Sequence, residues 1–206
     1  MKKIEIAIID YGMGNIHSVK KALESFGVKT KVTNQAQELK NCHKLILPGV
    51  GAFSDALREL KKRDLIFAIL NHIQQKKFFL GICLGMQLLF TESEEAKGLK
   101  GLNVFLGKVK RLRLKKPLKV PHIGWNQLKI KNNHCPLLKG IPDNSYVYFC
   151  HSYYPLPQDP KVVSATTDYG IEFASFLWKD NIFAVQFHPE KSQHTGLKIL
   201  KNFLEI

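Results

Sequence analysis

Three short segments of this chain carry residue types that could perform acyl-transfer chemistry. The first is Gly81-Ile82-Cys83-Leu84-Gly85, which sets a thiol between an apolar run and a helical pattern. That is the nucleophile-elbow arrangement, with Cys in place of Ser. The two glycines would relieve crowding around a sharply turned residue and let a reacting carbonyl approach the backbone. A helix starting at Leu84 would add partial positive charge near the sulfur and favour thiolate. The Leu84 N–H would then face a developing oxyanion. Read alone, this pattern also describes a buried cysteine at an ordinary strand end.

The second segment is Gln186-Phe187-His188-Pro189-Glu190, directly after the apolar run Ile182 to Val185. A general base belongs at the rim of the sheet beside the nucleophile, and a strand end delivers it there. Residues two apart on a strand project to one side, so Glu190 can orient His188 and stabilise its imidazolium. A lone histidine would be read as structural; with an elbow cysteine in the same chain, the two form a Cys-His-Glu triad. The third segment is Pro48-Gly49-Val50-Gly51-Ala52-Phe53. Glycines at the C-terminal end of a strand put backbone N–H groups where open α/β sheets bind ligands, so Val50 or Gly51 can supply a second oxyanion donor. A plain turn before a helix fits this segment too.

These segments must be carried to one place. Ile4 to Ile9, Val28 to Thr33, Lys44 to Leu47 and Phe78 to Ile82 read as strands. Between them, Ile16, Val19, Leu23 and Phe26 fall at helical spacing and end at Gly27. Ser54 is the candidate N-cap of helical material running to about Gln75, with a break near Asp64. Leu84 to Phe90 reads as a helix. Alternating strands and helices predict a parallel sheet covered on both faces. From Leu102 onward the candidates are short and closely spaced: Val104 to Leu106, Val109 to Leu114, Gln127 to Ile130, Tyr146 to Phe149, Val162 to Ala165, Phe173 to Trp178 and Phe183 to Phe187. Pro and Gly punctuate them, which predicts an antiparallel extension. Thr195 to Leu204 returns to a helix. The expected fold is α/β, an open mostly parallel sheet flanked by helices with an antiparallel extension, in a single domain over residues 1–206.

At 206 residues and 45% hydrophobic composition the chain can bury one full core. No run approaches the roughly 20 apolar residues that span a bilayer. The opening Met1-Lys2-Lys3-Ile4-Glu5 is not expected to act as a signal sequence, since Glu5 and Asp10 interrupt the apolar run, and a soluble cytoplasmic protein is expected. Cys42, Cys83, Cys135 and Cys150 form no CxxC pair, so they read as buried thiols or a nucleophile, not a disulfide framework, and no metal is expected. The formal charge of +14 raises the question of nucleic acid or an acidic partner. Its lysines are dispersed, at Lys20–Lys21, Lys61–Lys62, Lys76–Lys77, Lys115–Lys116 and Lys129–Lys131, and Arg is scarce, which serves bidentate base or phosphate reading poorly. Gly12-Met13-Gly14 follows a strand, but the third glycine of a dinucleotide fingerprint would fall at His17, and Val32-Thr33-Asn34 lacks the ribose-binding acid. No cofactor is expected.

PGVGAF, GICLGMQLLF and QFHPEKS resemble the class I glutamine amidotransferases. Within that class GMGN, PHIGWN at 121–126 and HSYY at 151–154 resemble the glutaminase subunit of imidazole glycerol phosphate synthase, and the similarity runs end to end. Cys150, before His151, stands where a small aliphatic residue is usual. The resemblance implies that Cys83 attacks the side-chain amide of L-glutamine, that His188 protonates the departing ammonia, and that Glu190 holds the ring. It implies contacts to glutamine from Gly51, Gln87, Glu95, Ser152 and Tyr153, although Glu95 read by itself belongs to a solvated acidic helix end. It implies, as heterodimer partner, a (β/α)8-barrel cyclase subunit met by Asn15, Ile123, Trp125, Tyr148 and Lys191 and receiving ammonia through an internal passage. Trp125 and Tyr148 read by themselves as core packing. His151 neighbours the expected substrate site, and His43, His72, His134 and His194 read as surface or loop residues. A related pair that aminates a sugar for a surface polysaccharide would carry the same triad.

Overall fold

The computed structural model describes residues 6–114 and 118–206; Ile4, Glu5, Lys115 and Lys116, named among the sequence features, lie outside them. In chain order the elements are β1 (Ile6–Ile9), α1 (Ile16–Glu24), β2 (Thr30–Thr33), α2 (Ala36–Leu39), β3 (Lys44–Gly49), α3 (Phe53–Lys62), α4 (Leu65–Gln74), β4 (Phe78–Cys83) and α5 (Leu84–Gln87). There follow β5 (Phe90–Ser93), β6 (Phe105–Arg111), β7 (His122–Gln127), β8 (Lys129–Ile130), β9 (Tyr146–His151), β10 (Tyr153–Pro157), β11 (Val163–Asp168), β12 (Glu172–Lys179), β13 (Ile182–Val185) and α6 (Gln193–Glu205).

Eight strands form the main sheet in the order β2-β1-β3-β4-β13-β12-β11-β8. The first five run parallel, and β12, β11 and β8 add on antiparallel. The parallel core strands are continuous apolar runs because both faces are covered. Alternate residues serve opposite faces: Ala7, Ile9, Leu45 and Leu47 pack with Leu57, Leu60 and Ile69 of α3 and α4. Ile6, Ile8, Ile46 and Leu80 pack with Val19 and Leu23 of α1 and with Leu200 and Phe203 of α6. Asp64, at φ 55°, makes the break between α3 and α4. Lys44 is buried and donates to the carbonyls of Phe203, Leu204 and Ile206 at 2.8, 2.7 and 2.6 Å, closing the C-terminal end of α6. Burial lowers its pKa to about 8.

Several expectations change. The helix after Cys83 ends at Gln87, and Phe90 already belongs to a strand. Backbone pairing explains it: the Leu88 and Leu89 carbonyls accept from Leu102 and Val104 N–H, and β5 pairs with β6. The Glu92–Glu95 stretch is therefore strand and turn, not a helix end. The N-cap of α3 is Ala52, and Glu95 Oε2 accepts from Phe53 N–H at 3.0 Å in the role expected of Ser54. His72 is buried and its Nε2 lies 3.0 Å from the Phe78 carbonyl, so it is no surface residue. Among the described residues no helix is long and apolar enough to cross a membrane.

Candidate active site

Cys83 ends β4 at φ 55°, ψ −111°, a conformation L-residues rarely adopt and one that costs about 1–3 kcal/mol. The surrounding glycines are a packing requirement. A Cβ on Gly85 would stand 1.9 Å from the Leu47 carbonyl oxygen, and one on Gly81 would stand 2.9 Å from the Gly85 oxygen. Gly-x-Cys-x-Gly is thus the pattern that lets the elbow seat against β3. Because α5 is a single turn, any positive field at the sulfur comes from its first N–H groups, Leu84 included, more than from a long helix dipole.

His188 leaves the end of β13 and enters a 3₁₀ turn, Pro189–Lys191. Proline at the first position of that turn needs no N–H partner there. Glu190 reaches the ring through this turn, not through strand alternation as the sequence suggested, and its Oε1 lies 2.8 Å from His188 Nδ1. The carboxylate accepts, so Nδ1 carries the hydrogen and Nε2 is left for the thiol, which lines the same cavity. The turn is pinned to β9: His188 N–H donates to the Tyr148 carbonyl at 2.9 Å, Ser192 Oγ to the His188 carbonyl at 2.6 Å, and Tyr148 N–H to Ser192 Oγ at 2.9 Å. Burial is the strongest single influence on His188 and disfavours its charge. Its hydrogen bond to Cys83 and the charge of that sulfur, with those of Glu190, outweigh burial and raise the pKa to about 10.

A cavity of about 270 Å³ opens over this pair. Val50, Gly51 and Leu84, the expected oxyanion donors, line it, as do Gln87, Glu95, Ser152 and Tyr153. Gly51 sits at φ +90°, which only glycine adopts freely, and Val50 is 42% exposed. Gln87 Nε2 donates to the Tyr153 carbonyl at 2.9 Å and to Gln186 Oε1 at 3.0 Å. What reaches Cys83 from position 150 is the backbone carbonyl, 3.9 Å from the sulfur, and any residue type supplies that atom.

The residues expected to meet a partner gather beside the cavity on the β7–β9 ribbon and the turn next to it. Trp125 pairs with Tyr148 in register, their rings edge to face at 6.0 Å, and Lys191 Nζ stands 5.8 Å from the Tyr148 ring centroid. Ile123 is 59% and Trp125 45% exposed, so Trp125 is not a core residue, contrary to its reading in isolation. Asn15 stands at the start of α1, which packs against the Pro189–Lys191 turn.

Two groups escaped the sequence reading. Gln186 is fully buried and its Nε2 lies 3.7 Å from Cys83 Sγ; its place two residues before His188 was the available signal. Tyr11 is buried with its hydroxyl unpartnered among the described residues, and a Cβ on Gly49 would lie 2.6 Å from that oxygen. Burial, then the charge of Cys83, raise its pKa.

Residues 7–206 match the family model for class-I glutamine amidotransferase. The chain is 54% identical over 201 residues to the imidazole glycerol phosphate synthase subunit HisH of Caldanaerobacter subterraneus, covering 98% of each chain. The chain belongs to the class I glutamine amidotransferases, among the HisH subunits of imidazole glycerol phosphate synthase. The HisH subunit of Methanocaldococcus jannaschii is 49% identical over 202 residues, covering 98% of this chain and 99% of that one. The fold is shared more widely. A structure of PurLQS from Thermotoga maritima matches with a TM-score of 0.76 at 20% identity, covering 98% of both chains. A glutamine amidotransferase from the same organism matches with a TM-score of 0.66 at 16% identity, covering 100% of this chain and 84% of that one.

Proposed function

We propose that the chain, acting as one domain, is the glutaminase subunit that hydrolyses glutamine at Cys83 and passes ammonia to a (β/α)8-barrel cyclase subunit in histidine biosynthesis. The observation that carries the chemistry is the His188 ring, held by Glu190 at 2.8 Å and lining one cavity with Cys83, whose sulfur raises the pKa of the ring. The HisH relatives favour the histidine pathway over amination of a surface-polysaccharide sugar.

Cys83 Sγ, its proton already held on His188, attacks the side-chain carbonyl carbon of glutamine. The carbonyl oxygen becomes an oxyanion, met by Leu84 N–H and by Val50 or Gly51 N–H. The C–N bond then breaks, His188 returns its proton to the leaving nitrogen, and ammonia departs. His188 next deprotonates a water that hydrolyses the glutamyl thioester, releasing glutamate and restoring the thiol. Glu190 fixes the tautomer and compensates the imidazolium charge in both halves. Glu95, facing the cavity, suits the substrate ammonium, while Gly51, Gln87, Ser152 and Tyr153 contact the rest of the molecule. Asn15, Ile123, Trp125, Tyr148 and Lys191 meet the cyclase. The setting is cytoplasmic, without nucleic acid or membrane.

The exposed Val50-Gly51 segment after β3, held in a left-handed bend at Gly51, is the part of the site able to reorient its peptides. Its second donor aligns when the partner docks, so the isolated chain should be slow and the complex faster by on the order of a hundredfold. A glutaminase assay with and without the barrel subunit, supplied with its nucleotide ligand, tests this. Equal rates in both states remove the gating, and no hydrolysis in either removes the function.

A further inference from the structure

His122 and His151 take no part in that mechanism, yet both are buried, at 2% and 5% exposed. They face each other across the β7–β9 pairing, with His122 Nδ1 3.0 Å from His151 Nε2. The protons in this pair have one possible arrangement. The Tyr153 carbonyl, 2.8 Å from His151 Nδ1, can only accept, so that nitrogen carries the hydrogen. A neutral His151 then offers a lone pair at Nε2, and His122 must donate from Nδ1. His122 Nε2 becomes the acceptor, met at 3.4 Å by Asn126 Nδ2, which also donates to the Asp168 carbonyl at 2.8 Å. Phe149 and Tyr169 stack on His122 with centroids at 4.8 and 3.9 Å. Burial keeps both rings neutral, with pKa values lowered to about 4 for His122 and about 3 for His151.

The two ends of this chain of bonds lie in different parts of the molecule. At one end is β7, which turns Ile123 and Trp125 outward. At the other is the Tyr153 carbonyl, which also accepts from Gln87, and Gln87 donates on to Gln186, whose amide touches Cys83 Sγ. We infer that His122 and His151 are positioning residues, a one-way hydrogen-bonded pair that ties the outward-facing ribbon strand to the Ser152–Tyr153 wall of the cavity. A shift of β7 is thereby delivered to the segment that holds the substrate. The inference rests on the reading of Cys83 as a glutaminase nucleophile.

Two substitutions separate this role from packing. His122→Phe keeps a ring in the stack and removes the donor; His122→Asn restores a donor nitrogen near the place of Nδ1. In the complex with the barrel subunit, His122→Phe should raise KM for glutamine roughly tenfold with kcat within about twofold, and His122→Asn should recover most of the loss. An unchanged KM in His122→Phe, or a loss that His122→Asn does not relieve, overturns the inference. Should His122→Phe fail to fold, ring ¹⁵N shifts of the wild-type chain decide: both histidines should be Nδ1–H tautomers from about pH 8 to about pH 5. An Nε2–H tautomer at either position overturns it as well. Wild-type complex without glutaminase activity would refute the reading of Cys83, and the tautomer measurement would still judge the pair.

Discussion

His188 and His151 both line the cavity beside Cys83, and both are almost wholly removed from water. Desolvation pushes each toward the neutral form. His151 yields, its pKa falling to about 3, because its partners are a carbonyl and a second neutral imidazole. His188 does not, because its interactions with Cys83 and then with the Glu190 carboxylate at Nδ1 outweigh burial and raise it to about 10. One side of the cavity therefore holds a ring that carries a proton it can give and later recover, and the other a ring whose protons are locked. Burial decides nothing alone; the charge of the neighbouring groups decides which histidine holds a second proton for catalysis.

The largest expected effect comes from removing the sulfur. Cys83→Ala should lower partner-stimulated glutamine hydrolysis by at least roughly 10⁴-fold while leaving the fold and subunit docking intact, and the His188 pKa should fall. Appreciable turnover, or an unmoved His188 titration by NMR, would dissolve the contrast between the two rings. Next is Glu190→Gln, which keeps the shape and removes the charge. The neutral amide can present its NH₂ to Nδ1 and favour the wrong tautomer, so kcat should drop roughly a thousandfold with KM little changed. A loss under about tenfold would mean that Cys83 alone sustains the difference between the histidines.

Much of the parallel half was legible because its strands are buried on both faces: Leu45 to Leu47 and Phe79 to Ile82 are unbroken apolar runs, and their ends carry the glycines that the elbow requires. β10 was not legible, since Pro155 and Pro157 argue against a strand; it lies at the edge of its sheet, order β10-β6-β5, where a missing N–H is tolerated. β5 was hidden for a different reason. The helical pattern after Cys83 runs straight into it, and pairing with β6 overrides local preference. In the site, the motif residues Cys83, His188 and Glu190 announce themselves by type and neighbours. His122 and His151 do not, because their role depends on a register between strands that local sequence does not encode.

The smallest effect tests the comparison through stability. In the unfolded chain His122 and His151 bind protons near pH 6.5, whereas folded they stay neutral to about pH 4 and about pH 3. Protons thus bind the unfolded state preferentially, so the contribution is complete above about pH 6.5 and drains as the pH falls toward 4. His188 works in the opposite direction: its contribution is present below about pH 6.5 and is lost as the pH rises toward 10. Between about pH 7 and about pH 5 His122 and His151 together should cost the wild-type chain on the order of 4 kcal/mol, ahead of the lowered carboxyls of Glu38, Glu94 and Glu172. His72, lowered to about 4 against the Phe78 carbonyl, drains over the same interval, so the informative quantity is a difference between chains. Urea unfolding of wild type and His122→Phe at the two pH values supplies it. The variant should lose about 2 kcal/mol less on acidification, and Cys83→Ala should match wild type there while losing less than wild type on the alkaline side. Parallel acid losses in wild type and His122→Phe would mean that the His122 ring is not held neutral by the fold, and the two histidine environments would then differ less than their geometry implies.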